Sequence, residues 1–165
     1  MQLIDREAII TMPELRHVIE VDQGPEQAFD AVADFSSSAA WDPGVEEARR
    51  IREGDEAAAG VGAIYQLKVT FRGRESEMTY RTTEYRRPSR VVLEGIGPKV
   101  AATDTIEFEP VSGGGTRITY VADLRLIGLA KIAEPFLKGE FDAMGTRALA
   151  GMRSWFSAPP ADAAS

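Results

Sequence analysis

Six runs of alternating apolar and polar residues follow one another from Val45 to Ile127, each closed by a turn-rich break, and this pattern limits the fold more than any other feature. The runs lie near 45–53, 62–72, 75–86, 90–96, 100–110 and 115–127. The breaks are Asp55 to Gly62, Arg72-Gly73-Arg74, Arg87-Pro88-Ser89, Gly97-Pro98 and Ser112-Gly113-Gly114-Gly115. A two-residue period with turn residues at such spacing predicts a meander of antiparallel strands. Alternation then assigns faces. Ala63, Tyr65, Leu67, Val69 and Phe71 share one side of their strand, as do Met78, Tyr80 and Thr82. Ala102, Asp104, Ile106 and Phe108 do the same, followed by Ile118, Tyr120, Ala122, Leu124 and Leu126. The opposite faces carry Lys68, Glu75, Arg81, Glu107, Arg117 and Arg125, so one side of the sheet is dry and the other wet.

The chain offers one long element to cover that dry side. From about Leu129 to Phe156, Leu129, Ile132, Ala133, Phe136, Met144, Ala148, Met152 and Trp155 recur at helical spacing, with Phe141 off the stripe. Pro135 and Gly139 predict a kink or break, with the firmest helix from Gly139 onward. Ahead of the meander, Leu15, His17, Ile19 and Val21 alternate as a first strand. Pro25 suits a first helical position, and Phe29, Val32 and Ala33 follow at helical spacing until Ser36 to Ser38 interrupt. Trp41-Asp42-Pro43-Gly44 reads as a turn. The expected architecture is α+β: a seven-stranded curved antiparallel sheet wrapped around a long C-terminal helix, with a short helical segment after strand 1. A curved sheet gripping a single helix leaves space that side chains do not fill, and such half-barrels commonly hold ligands. Residues 1–12 form an N-terminal extension, 13–156 the domain, and 157–165 a small, polar, disordered tail.

Composition narrows the function classes. A chain of 165 residues suits one domain with a sizeable core. With no cysteine and one histidine, neither a disulfide framework nor an ordinary zinc centre can be built, and no cofactor is expected. A net charge of -7 repels phosphate backbones, which argues against nucleic acid. No stretch approaches the ~18 apolar residues of a membrane span, and no cationic start precedes an apolar core at the N-terminus. The expectation is a cytoplasmic protein without stable membrane insertion.

Gln23-Gly24-Pro25-Glu26-Gln27-Ala28-Phe29-Asp30-Ala31-Val32-Ala33-Asp34 after the first strand, then Trp41-Asp42-Pro43, Thr105 to Pro110, Gly114 to Tyr120 and the final helix follow one another in a telling order and spacing. By these motifs the sequence, from about Pro13 to Phe156, resembles the SRPBCC superfamily, also called START-like or helix-grip, and within it the polyketide cyclase/dehydrase and lipid-transport group. The resemblance covers nearly the whole chain. It implies a ligand cavity walled by inward strand residues and the inner face of the last helix. Carried onto this chain, the wall comprises Trp41, Tyr65, Leu67, Val69, Met78 and Tyr80, then Leu93, Ile106, Phe108, Ile118, Tyr120 and Leu124, and from the helix Phe136 and Met144. The resemblance supplies no invariant catalytic set.

Two residues stand out for chemistry. Asp104 shares parity with Ala102, Ile106 and Phe108, which aims a carboxylate into apolar space, where desolvation raises its pKa and fits it for general-base work. The plainer alternative is a wet or hydrogen-bonded aspartate near a strand end. His17 shares parity with Ile19 and Val21 and could serve as an acid or base, or equally cap the strand's start. Tyr65, Tyr80 and Tyr120 fit ligand orientation as well as ordinary packing. Three readings follow. The first is binding or carriage of a small hydrophobic molecule, a lipid, isoprenoid, quinone or polyketide-like compound. The second is a cyclase or dehydratase using Asp104, His17 or a tyrosine in the same cavity. The third is a protein-interaction module with a filled core.

Overall fold

The computed structural model of the chain describes residues 14–128 and 134–158. Strand β1 (Leu15–Val21) leads through Gly24 into helix α1 (Pro25–Ala33), which opens on Pro25, where the missing N–H costs nothing. The Asp34 carboxylate stops this helix and caps the next turn. It accepts from the Ser36 amide at 3.2 Å and the Ser36 hydroxyl at 2.6 Å, nucleating a 3-10 turn (Phe35–Ser37) and a short helix α2 (Ser38–Trp41). Asp42 then accepts from the Gly44 amide at 2.8 Å, the side-chain turn that releases the chain into β2 (Val45–Arg52).

The meander continues as β3 (Ile64–Phe71), β4 (Arg74–Arg86), β5 (Arg90–Ile96), β6 (Val100–Pro110) and β7 (Thr116–Leu126), close to the bounds read from periodicity. All seven strands form one antiparallel sheet in the order β1-β7-β6-β5-β4-β3-β2. The first strand thus returns to the last, and β1 and β2 are the two edges. The register places inward residues side by side: Tyr65 opposite Tyr80, Leu67 opposite Met78, Leu93 opposite Asp104 and Ile106 opposite Tyr120.

Helix α3 (Glu134–Ser157) crosses the dry face. Its helical hydrogen bonding runs unbroken through Gly139, so the expected break there is absent. Pro135 sits in the first turn, where proline is tolerated, and packing against the sheet offsets the weak propensity of glycine. Leu137, Ala148, Leu149 and Met152 are buried, and Phe141 stacks on Phe71 with ring centroids 4.8 Å apart. The inner face therefore shares Met144, Ala148 and Met152 with the expected stripe and is wider than it, taking in Leu137, Phe141 and Leu149 as well. The expected beginning of this helix at Leu129 to Ala133, the extension 1–12 and the end of the tail from residue 159 lie outside the described residues.

The core is packed at one end of the grip. Phe29 of α1 meets Phe108 at 5.2 Å and Tyr85 at 5.1 Å, both edge to face, and Phe35 lies 4.9 Å from Tyr80 and 6.2 Å from Tyr65. These rings fill the concavity beneath α1. Among the described residues nothing comparable fills it beneath the first half of α3.

Candidate functional site

That unfilled half is a cavity of about 1370 Å³, larger than the roughly 300–1,000 Å³ of common ligand pockets and partly open to solvent. Its walls are mostly apolar. Leu67 and Val69 of β3, Met78 of β4, Leu124 of β7, Met144 of α3 and Trp41 of α2 all line it, as the family resemblance implies. Tyr65, Leu93, Ile106, Phe108 and Ile118, also placed on the wall by the sequence, sit instead in the packed core at 0–2 % exposure. They have the inward parity, but they lie along the strands where Phe29 and Phe35 occupy the concavity. Parity identifies the face of a strand and says nothing about position along it. Phe136 lies in α3, but its side chain is outside the described residues.

The polar part of the wall centres on Asp104, which is 4 % exposed. The Tyr120 hydroxyl donates to Asp104 Oδ2 at 2.7 Å. Tyr80 reaches the same carboxylate from two strands away by laying its ring over Gly95, where a Cβ would come within 2.5 Å of Tyr80 Cε1. Glycine is thus required at that position for the close approach. Burial pushes the Asp104 carboxyl up to about 7. Hydrogen bonding from Tyr120 and, more weakly, Tyr80 opposes that shift, while the nearby charge of Asp42 adds to it. Burial and the same carboxylate hold both phenols well above their ordinary value, so each remains a neutral donor.

Asp42 also lines the cavity, with its carboxyl raised by burial against the opposing pull of the Gly44 amide and of Arg147. His17 lies on the wall beside α3, under Gly145, where a Cβ would come 2.5 Å from its Nε2. That nitrogen is buried without a hydrogen-bond partner among the described residues; its nearest acid is Asp142 Oδ1, 3.6 Å away. Trp41 also lines the cavity, its ring 6.4 Å from that of Tyr120 and its indole N–H donated to Ser37 Oγ at 3.1 Å. The sequence-derived pair Asp104 and His17 therefore shares one cavity with Tyr80 and Tyr120. Among the described residues no group of three His, Asp or Glu side chains converges to hold a metal.

Sequence reasoning missed Asp42, which was read only as a turn residue, and Phe35, Leu137 and Phe141. The signal for the last two was present: positions 137, 141, 144, 148 and 152 are also spaced by three and four. Among the described residues no helix is long and apolar enough to cross a membrane.

Comparison with known proteins agrees with this geometry. No curated protein sequence matches the chain. Solved structures do. A protein of Thermus thermophilus is 15% identical over 93% of this chain and 100% of its own, with a TM-score of 0.74. The Zhui aromatase/cyclase from a Streptomyces species is 14% identical over 87% of this chain and 90% of its own, with a TM-score of 0.69. A START superfamily protein from Mycobacterium smegmatis is 14% identical over 86% and 97%, with a TM-score of 0.68. At these identities the likeness is one of fold. The family profile described as "Polyketide cyclase / dehydrase and lipid transport" matches residues 12–153, nearly the whole helix-grip unit, and the chain belongs to that family.

Proposed function

We propose that the chain binds one small, largely apolar molecule between α3 and the sheet, with an oxygen-bearing end of that molecule at Asp104, Tyr80 and Tyr120. The carrying observation is the open apolar cavity with a single recessed polar cluster. Apolar walls supply affinity through burial, at roughly 25 cal/mol per Å² removed from water, and the polar cluster supplies orientation. Lipids, isoprenoids, quinones and polyketide-like phenols all have this character. An open cavity also weighs against the interaction-module reading, which calls for a filled core.

A second reading is favoured by one specific observation. A carboxyl held near 7, flanked by two phenols and facing the cavity, is matched in pKa to proton transfer at neutral pH. In a cyclase or dehydratase, ionised Asp104 would take a proton from the carbon next to a substrate carbonyl. The Tyr120 or Tyr80 hydroxyl would hydrogen-bond the oxygen on which charge develops. His17, paired across strands with Tyr120 and also on the cavity wall, is the other group able to exchange a proton with the ligand.

Native mass spectrometry, before and after incubation with a mixture of those compound classes, tests the binding reading. One molecule per chain, lost on denaturation, is the expected result. A chain that stays at its unliganded mass with every class contradicts it. Turnover of any bound polyketide-like compound, abolished in Asp104→Asn while binding persists, is what the second reading expects. Unchanged turnover in that variant refutes the assigned base.

A further inference from the structure

We infer that the cavity is polarised for an amphiphile, one that keeps an anionic group at the mouth and sends an uncharged end to the Asp104 floor. This rests on the binding reading above and adds an orientation and a ligand class to it. The charges on the wall are segregated. Its carboxylates away from the mouth are Asp42 and Asp104; among the described residues the wall beside them holds the His17 imidazole but no Lys or Arg side chain, and Arg147 acts on Asp42 from outside the wall. Its cations are Arg72, Arg74 and Lys99, which are exposed residues on the β3–β4 and β5–β6 hairpins and mark the open end. The acids nearby are already engaged: Arg72 Nε lies 3.2 Å from Glu140, and Lys68 Nζ lies 3.9 Å from Glu75. Arg74 and Lys99 have no carboxylate within 4.0 Å among the described residues, in a protein whose net charge is -7.

An ionised ligand end at the floor would be stripped of water beside two acids, with two neutral phenols as its donors. At the mouth the same end stays hydrated and faces two cations. Desolvation beside the two acids at the floor, and hydration beside the two cations at the mouth, therefore favour the same orientation, against which the floor sets only the His17 imidazole and the more distant Arg147. Rim charges of this kind act on capture rate, salt dependence and orientation more than on total affinity. A carboxylate, sulfonate or phosphate satisfies the mouth equally, so the ligand class is an anionic amphiphile whose far end is an uncharged hydroxyl, carbonyl or ring.

The test uses two fluorescent probes with one aromatic skeleton, N-phenyl-1-naphthylamine and its sulfonated counterpart 1-anilinonaphthalene-8-sulfonate. Each is titrated into the wild-type chain and the double variant Arg74→Gln/Lys99→Gln. The sulfonate should bind the double variant roughly fivefold more weakly than wild type, with a shallower salt dependence, while the uncharged probe binds both alike. Equal affinity of the sulfonate for both proteins overturns the inference, and so does an equal loss for both probes. Failure of the uncharged probe to bind wild type would instead remove the binding reading and this orientation with it.

Discussion

Replacing Asp104 by Asn should flatten the pH dependence of stability between about pH 4 and about pH 7, because the cavity carboxyl is buried where ionisation costs the folded state. In the unfolded chain this carboxyl titrates at its ordinary 3.8, and in the folded protein at about 7. The folded state therefore holds the proton more tightly. Stability from this group is full below about pH 4, falls as pH rises through the window between the two values, and levels off above about pH 7. At about 1.36 kcal/mol per pH unit, that window sets a ceiling of about 4 kcal/mol for the loss. Water in the open cavity relaxes around the charge and reduces it, and at least about 1 kcal/mol should survive. Asparagine is uncharged at every pH, and its amide oxygen can still accept from Tyr120. Urea unfolding of both proteins across that pH range is the assay. The variant should gain on wild type steadily as pH rises, to an advantage of about 1–4 kcal/mol near pH 7. Parallel profiles with a constant offset would refute the assignment of a raised pKa to Asp104.

Tyr120→Phe removes the 2.7 Å donor that favours ionised Asp104, so the carboxyl should titrate at still higher pH. Carbon-detected NMR of the labelled carboxyl reads this directly, and a shift to lower pH would contradict the hydrogen-bonding account. Gly95→Ala puts a methyl group 2.5 Å from the Tyr80 ring and should destabilise the protein by about 1–3 kcal/mol. Thermal unfolding measures that loss, and an unchanged melting temperature would show that Tyr80 does not need the space.

The fold was legible because a first strand and a six-strand meander repeat one rule seven times. Each strand carries its own alternation, and errors at one boundary do not spread to the next. Over its described length the long helix was legible, but not the full width of its inner face: stacking on Phe71 brings Phe141 onto that face, a contact that spacing within the helix does not contain. The site was legible only as a set of inward positions. Asp104, His17, Tyr80 and Tyr120 converge because their parity and depth agree, whereas Leu93, Ile106 and Phe108 share the parity but lie under Phe29 and the other rings that fill the closed end. How far α1 and the 3-10 turn intrude is a three-dimensional quantity that no periodicity within a strand contains. Asp42 escaped notice for a related reason: its hydrogen bond to Gly44 is local, while its exposure to the cavity depends on where α2 docks against α3.

Methyl NMR locates a ligand most directly, because the five methionines divide by place. Met78 and Met144 line the cavity, Met152 is fully buried in the packed core, and Met1 and Met12 lie outside the described residues. With methionine methyls carbon-13 labelled, N-phenyl-1-naphthylamine is titrated into the protein. The account predicts saturable shifts of the Met78 and Met144 signals and contacts from both methyls to the probe's ring protons, with Met152 little moved. Binding that leaves Met78 and Met144 unshifted would place the ligand elsewhere and contradict the claim that this cavity is its site.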